Sequence, residues 1–387
     1  MMSAWQRIFS YAFRPFFLLA GLYSVVAILI WILTWRGVLI LDWQRPALNW
    51  HGHDMMMGLM AAAIAGFLLT AVANWTSRPP VSGLALAALV AAWLVGRMAM
   101  LSAPLSAAAD AVFWLLLCLL MGRELLAARN KRNYKVLALL IVITCTDLLF
   151  HAAELRWLPH IDLRQVLWVQ LWLVVLMINV IGGRVIPAFT GNWLRRRLAP
   201  GEVLSEEHTP AAFGLVDQLA IALLVLFVIS IVIEAPAKLA APLGLACVFM
   251  QGWRLLRWKF WLTFSDALVW MLHLSYAWLV AGIGLWVLAL LEILPVSAAV
   301  HALTIGAIAS MIISVAARAA LGHTGRPLHS HPLLTAAIIL LSLAAVSRIM
   351  AAATGAAPWL DVSAAFWILG FGCFMTRYAP ILWGKSA

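Results

Sequence analysis

Apolar stretches of membrane-spanning length follow one another along almost the whole chain, separated by short polar segments. Crossing the hydrocarbon core of a bilayer requires about 20 mostly apolar residues. By this measure the sequence predicts twelve transmembrane helices, at approximately 15–35, 54–74, 82–101, 106–127, 136–155, 166–187, 212–233, 238–256, 263–291, 299–320, 333–353 and 360–381. No segment between them is long enough for a soluble domain, so residues 1–387 are predicted to form a single transmembrane domain.

The composition supports an all-α, polytopic helical bundle and excludes a soluble enzyme. Hydrophobic residues make up 65% of the 387 residues and charged residues only 11%. Lys and Arg concentrate on alternate connecting segments, as expected when the positive segments face the cytoplasm. With a cytoplasmic N-terminus, only seven Lys and Arg lie outside, namely Arg36, Arg45, Arg97, Arg156, Arg164, Lys238 and Arg348. The sequence therefore predicts a multi-pass protein with both termini cytoplasmic. Anionic lipid accounts for its net positive charge without a nucleic-acid partner.

Two weak internal repeats relate three of the predicted helices. An offset of 248 residues carries His53 to His301 and Gly58 to Gly306, and an offset of 134 residues carries Arg184 to Arg318. The second, sixth and tenth helices would then be equivalent, and the bundle would consist of three four-helix units around a pseudo-threefold axis. Gly and Arg recur often near helix ends, so coincidence stays open as an alternative.

The histidines are the main candidates for chemistry, because ionisable side chains within a bilayer are costly and usually functional. Imidazole nitrogen is a suitable ligand for both iron and copper. Those close to the predicted membrane helices give a candidate set of metal ligands: His51, His53, His151, His273, His301 and His323. Of these, His53, His301 and His273 are also candidate haem ligands.

The segment from Trp50 to Asp54 brings two histidines to the entrance of the second helix. Residues two apart on a helix are separated by about 200°, so His51 and His53 are predicted to serve different sites. Asp54 is either an anion favoured by the helix dipole or a carboxylate that orients an imidazole. The alternative for both histidines is a simple interfacial position without a ligand.

Each remaining candidate has a structural alternative. His273 lies about 15 Å into its span and needs either a metal or a hydrogen bond to a neighbouring helix. His151 lies between Asp147 and Glu154. It is therefore predicted to be a metal ligand with a supporting carboxylate, part of a proton entry, or part of a solvated helix end. Arg184 and Arg318 are candidates to bind haem propionates or to anchor the inner leaflet. The sequence has no CxxCH motif, so any haem is predicted to be non-covalent.

Several motifs together resemble the NnrS family over essentially the whole chain. They are Arg14 to Phe17, Trp50 to Met55, Gly66 to Thr76, Gly183 to Pro187, His301 to Gly306, Gly322 to Pro327 and Arg377 to Trp383. The resemblance implies a bacterial inner-membrane protein of about twelve helices that carries haem, taken as haem b, and copper. It also implies a part in the nitric oxide response. Asp54 departs from the family, which often has Glu after the HxH motif.

A second resemblance is to the haem-copper oxidases and their nitric oxide reductase relatives. Those proteins have three four-helix arcs, with metal-binding histidines at the outer ends of the second and tenth helices. His53 and His301 would occupy comparable positions.

The leading hypothesis is a haem- and copper-containing protein that binds nitric oxide at a histidine-ligated metal. Turnover as a reductase-like oxidoreductase would require an unidentified electron donor. A proton-coupled transporter and a non-catalytic nitric oxide sensor or metal-holding protein are the alternatives.

Overall fold

The computed structural model describes residues 3–43, 45–199 and 201–387, and these residues form helices without any strand. Counting helices that continue through a π segment as one gives α1 Ala4–Ile8, α2 Phe13–Trp35, α3 Ala47–Thr76, α4 Gly83–Met98, α5 Ala103–Ala127, α6 Tyr134–Glu154, α7 Leu163–Arg195, α8 Leu215–Val232, α9 Ala237–Arg257, α10 Ala267–Leu290, α11 Val296–His323, α12 Pro332–Thr354 and α13 Pro358–Trp383. The predicted all-α, polytopic fold class is confirmed.

The twelve predicted spans correspond to α2–α13, with differences at their ends. Eleven of these helices are long and apolar enough to cross a membrane, whereas α4 has only 16 residues. Helix α7 is longer than predicted because it continues through Pro187 to Arg195. Helix α10 begins later than predicted because the Asp266 side chain caps it, accepting a hydrogen bond from the backbone N–H of Leu268 at 3.0 Å.

The described residues divide into two compact units. Unit one consists of the chain up to Leu173 with Ala316–Pro327 and Phe371–Ala387, and unit two consists of Val174–Val315 and Leu328–Gly370. The predictions of one membrane domain and of three four-helix groups stay predictions.

Unit one is built around α3, the most buried of the long helices, with 83% of its most apolar stretch buried. Helices α2 and α5 pack against α3, α4 packs against α5, and α5 packs against α6. The contact with α2 is close: a Cβ on Gly66 would lie 3.0 Å from Phe16 Cβ and 3.1 Å from a ring carbon of Phe17. Side chains on α3, α5 and α6 are thereby brought together inside unit one.

In unit two, α10 packs against α9 on one side and against the first half of α11 on the other. Gly282 on α10 marks the closest approach to α11, because a Cβ there would lie 2.5 Å from Leu303 Cδ2 and 3.3 Å from its backbone nitrogen. Small residues at such contacts allow membrane helices to approach closely.

The Gly282→Ala variant is expected to lose about 1–3 kcal/mol of stability, because the added methyl group overlaps Leu303 and forces the two helices apart. Gly284→Ala on the same helix is the matched control, since a Cβ there would meet Val248 at an ordinary 3.8 Å. Chemical unfolding of both variants in detergent micelles measures the difference. Equal stability of the two variants would contradict this packing.

Two of the spanning helices contain a π segment immediately after a histidine. In α3 the segment is Asp54–Leu59, which follows His53, and in α11 it is Ala302–Ala309, which follows His301. The two segments begin 248 residues apart, the offset that relates the two histidines in the sequence. Such segments are rare and often occur at functional sites.

Candidate metal centre

Four buried side chains from three helices of unit one converge on a small volume, here called the metal centre. They are His53 of α3, Asp110 of α5, and Asp147 and His151 of α6. Each offers one potential ligand atom, and these atoms all lie within 4.8 Å of one another. Two imidazoles and two carboxylates at this separation can surround a single metal ion.

Both imidazoles present Nε2 to the carboxylates of the metal centre. His53 Nε2 lies 2.9 Å from Asp147 Oδ1, and His151 Nε2 lies 3.3 Å from Asp110 Oδ2 and 3.7 Å from Asp147 Oδ2. The two rings are 4.7 Å apart and meet edge to face, and Phe150 stacks on His53 at 4.5 Å. The Nε2 atoms are therefore the potential ligand atoms.

The Nδ1 atom of each imidazole lies near a further carboxylate. His53 Nδ1 is 3.8 Å from Asp54 Oδ2, and His151 Nδ1 is 3.6 Å from Glu154 Oε2. Metal-binding histidines usually direct their second ring nitrogen to a carboxylate or carbonyl, which fixes the ring orientation and the tautomer. Asp54 is thus placed to orient an imidazole, one of the two roles considered from the sequence.

Arg97 of α4 connects two of these carboxylates. It donates from Nη1 to Asp54 Oδ1 at 2.6 Å and from Nη2 to Asp110 Oδ1, and the Tyr23 hydroxyl also donates to Asp54. Two glycines make room for this arrangement: a Cβ on Gly58 would lie 2.4 Å from Arg97 Nη1, and one on Gly96 would lie 2.6 Å from Asp110 Oδ1. The guanidinium is therefore held in one position.

The π segment of α3 belongs to the same arrangement. Gly58 lies within it, and the Trp93 indole N–H of α4 donates a hydrogen bond to the Gly58 carbonyl at 2.9 Å. A π segment leaves carbonyl groups outside the regular helical ladder, so a side-chain donor is needed within the membrane.

The positive and negative charges around the metal centre do not cancel when the imidazoles are neutral. Four carboxylates, those of Asp54, Asp110, Asp147 and Glu154, face two guanidiniums, those of Arg97 and Arg45, the latter 3.2 Å from Glu154. The formal sum over these described groups is a charge of −2. Uncompensated charge is very costly inside a membrane protein. Either a divalent cation or two protonated imidazoles would restore neutrality.

The structure places His51 outside the metal centre, although it is only two residues from His53. Its ring stacks on Trp31, with centroids 4.2 Å apart and an angle of 12° between the planes. The two histidines of the HxH motif therefore contact different residues.

His273 of unit two is buried on α10 and has one locked tautomer. The Thr190 hydroxyl donates to the Ile186 carbonyl at 2.9 Å, so it accepts from His273 Nε2, also at 2.9 Å. Nδ1 then carries the lone pair, and no described residue forms a hydrogen bond with it. Tyr276, one turn along the same helix, accepts a hydrogen bond from Arg254.

His301, also in unit two, lies half-buried at the start of the π segment of α11. Its Nδ1–H donates to the Ser297 carbonyl at 2.8 Å, which makes Nε2 the ring nitrogen with the lone pair. Backbone carbonyls orient many ligating histidines in this way. The prediction that His301 and His53 occupy comparable positions stays a prediction.

The remaining predicted residues have the following neighbours. Arg184 is half-buried, with its guanidinium 5.4 Å from the Phe213 ring, and Arg318 is also half-buried. His323 is exposed and stacks against Phe13 at 5.5 Å and Tyr11 at 5.2 Å. Burial raises the pKa of the Tyr11 phenol, so this ring is neutral at physiological pH.

Sequence reasoning missed three residues that build the metal centre: Asp110, Arg97 and Tyr23. Asp110 lies inside the predicted span 106–127, where a charged residue is a functional candidate by default. Arg97 was counted among the outer positive charges, but it is buried with Asp54 and Asp110. The signal that could have identified them was an acidic and a basic residue, each lying within one of two neighbouring apolar stretches.

A second buried network, in unit two, was also missed. Arg254 donates to Asp217 Oδ1 at 2.6 Å, to Asn179 Oδ1 at 2.7 Å and to the Tyr276 hydroxyl at 2.9 Å. Its guanidinium is fully buried and close to Gly183, where a Cβ would lie 1.6 Å from Nη2. The arginine is saturated by these partners, so this network holds helices together.

Comparison with known proteins identifies one family. The chain matches the family described as NnrS protein over residues 7–386, which is nearly its entire length. No curated protein matches the chain.

Proposed function

We propose a function from one premise, that this chain belongs to the NnrS family: it is a multi-pass membrane protein of the nitric oxide response that holds a metal ion at the metal centre and binds nitric oxide there. The observation that carries the proposal is the convergence of His53, His151, Asp110 and Asp147 within 4.8 Å. The resemblance that implies haem and copper supports the same assignment.

The residues of the metal centre fit a transition-metal ion. Imidazole and carboxylate are ligands of iron, copper and zinc, and each imidazole has a carboxylate near its second nitrogen. When bound, such an ion supplies a coordination position for a small ligand. The chain itself contributes orientation through Asp54 and Glu154, and Phe150 covers His53 on one side. Nitric oxide is small and uncharged, so it can reach a buried centre through the bilayer.

Haem b and copper also belong to the proposal, with ligands in unit two. His273 presents Nδ1 with a lone pair while its Nε2 donates a hydrogen bond, and His301 donates a hydrogen bond from Nδ1. This is the tautomer that a metal ligand requires. Arg184, in the same unit, is the proposed partner of a haem propionate, whereas Arg318 belongs to unit one and its assignment to a propionate stays a prediction. We place the protein in the bacterial inner membrane with both termini cytoplasmic.

Two other functions use the same residues differently. A proton-coupled transporter would satisfy the charge balance of the metal centre with two protons on His53 and His151. A sensor or metal-holding protein would bind nitric oxide without turnover, whereas a reductase would also require electrons from an unidentified donor.

Purified protein tests the proposal directly. We expect metal analysis to find a transition metal and nitric oxide to change the optical spectrum. The His151→Ala variant should lose metal from the metal centre and its nitric oxide response, because it removes one of the two imidazoles. His160→Ala is the matched control, since His160 is exposed.

The proposal would be contradicted if neither the wild-type protein nor the control variant contained a transition metal or showed haem absorption. Consumption of nitric oxide with an artificial electron donor would indicate a reductase. Stoichiometric binding alone would indicate a sensor.

A further inference from the structure

We infer that the metal centre is a mononuclear non-haem iron(II) site, with His53, His151 and Asp147 as its protein ligands and Asp110 held back by Arg97. The assignment of the ion class rests on the geometry and charge of unit one. Only the use of nitric oxide as the probe ligand rests on the proposed function.

Asp147 is the carboxylate best placed to bind a cation. Its Oδ1 lies 2.9 Å from His53 Nε2, and its Oδ2 is buried and receives no hydrogen bond from any described residue. A buried carboxylate oxygen without a donor is costly, and a metal ion at the two imidazoles would satisfy it. No arginine contacts Asp147 among the described residues, in contrast to its neighbour Asp110.

Asp110 is engaged elsewhere. Its Oδ1 accepts from Arg97 Nη2, in a position that the absence of a side chain at Gly96 makes available. A guanidinium bound to a carboxylate competes with a metal for its electron density, so Asp110 is the weakest of the four ligands. Its Oδ2 lies 3.3 Å from His151 Nε2, which carries no proton when it binds a metal and so cannot donate to Asp110. Asp110 is therefore a positioning residue that acts through Arg97, whose guanidinium also holds Asp54 beside His53.

Three protein ligands of this kind leave coordination positions open. Two histidines and one carboxylate with open positions are the arrangement typical of non-haem iron(II), which binds small gaseous ligands. Zinc instead forms closed four-ligand sites when its role is structural, and it would recruit Asp110 as the fourth ligand. The number of carboxylates that the ion requires thus distinguishes the iron site from a structural zinc site.

The charge of the metal centre favours a divalent ion over copper(I). The described ionisable groups sum to −2 with neutral imidazoles, and a monovalent ion would leave a buried negative charge. Copper(I) also prefers thiolate and thioether ligands, and no cysteine is among the four clustered side chains found in the described residues. Any copper(I) in this protein is therefore assigned to other histidines.

The test uses the full-length protein, purified in detergent without oxygen, cleared of loosely bound metal with a chelator and then loaded with ferrous iron or with zinc. We expect one non-haem iron per chain and a higher thermal unfolding midpoint after loading. After nitric oxide is added, the iron-loaded protein should give the half-integer-spin EPR signal of non-haem iron(II) with nitric oxide bound.

Two isosteric variants distinguish the roles of the two carboxylates. Asp147→Asn should lose the iron and the EPR signal, whereas Asp110→Asn should retain the iron, with weaker binding and a shifted EPR line shape. Asp162→Asn, at an exposed carboxylate of the outer α6–α7 connection, is the control and should behave as the wild type.

The inference is overturned if wild-type protein binds no ferrous iron, if Asp147→Asn keeps it, or if Asp110→Asn abolishes it. A different transition metal that occupies the metal centre and binds nitric oxide there, with no ferrous iron taken up, would overturn the inference and leave the proposed function intact. Iron that binds with the predicted ligand dependence but gives no signal with nitric oxide would support the inference and contradict the proposed function. The wild-type measurements decide the matter even if a variant fails to fold.

Discussion

Replacing Arg97 with alanine is expected to destabilise the protein by about 3–5 kcal/mol, because breaking a buried ion pair leaves a buried charge without compensation. Arg97 donates hydrogen bonds to both Asp54 and Asp110, and only 4% of its side chain is exposed. Its removal leaves two carboxylates in a low-dielectric environment. Arg97→Lys should have an intermediate effect, since an ammonium cannot reproduce the two-pronged contact.

Chemical unfolding in detergent micelles, with helical content as the signal, measures the loss. The matched control is Arg164→Ala, because Arg164 pairs with Asp162 at the surface and 73% of its side chain is exposed. Exposed ion pairs contribute little to stability. If Arg97→Ala and Arg164→Ala unfold at the same denaturant concentration, the buried network described for unit one is wrong.

The second large effect is expected at Arg254 of unit two. Arg254→Ala should also lose about 3–5 kcal/mol, because Asp217 would be left buried without its cation. Asn179 and Tyr276 lose hydrogen-bond partners in addition.

A charge-balanced variant makes this prediction specific. The double variant Arg254→Met with Asp217→Leu removes both charges and should recover much of the stability, since well-packed apolar residues often replace a buried ion pair without cost. Arg257→Ala, one turn along the same helix, is the control for loss of an arginine. If the double variant is as unstable as Arg254→Ala, the uncompensated charge of Asp217 is not the cause. The same unfolding measurement applies to all three.

Hydropathy predicted the approximate bounds of α2–α13, because the bilayer imposes the length of each apolar stretch, although only eleven of these twelve helices are long enough to cross a membrane. It did not predict the end of α7, which continues as a helix through Pro187 to Arg195. The short α4 was predicted to be longer because Ala99 and Leu101, beyond its last residue, are also apolar.

The metal centre could be predicted only in part. His53 and His151 were chosen by residue type and depth, and both belong to it. Asp110 and Arg97 were not chosen, because hydropathy does not report how adjacent helices are rotated about their axes. That rotation decides whether a charge inside an apolar stretch faces lipid, a helix or a metal site. A buried pair such as Arg97 with Asp110 becomes visible only when α4 and α5 are placed side by side.

The π segment of α3 has a consequence for how this helix can vary. A π segment accommodates one residue more than the α-helical path, and each residue of an α-helix turns the chain by about 100°. Deleting a single residue between Asp54 and Leu59 would restore the regular path and swing His53 away from Asp147 and His151. The part of α3 that packs against Phe16 and Phe17 would keep its present orientation towards these residues. The extra residue thus rotates the start of α3 relative to the rest of the helix. The direction of the His53 imidazole can therefore differ from the direction that the packing face alone would impose.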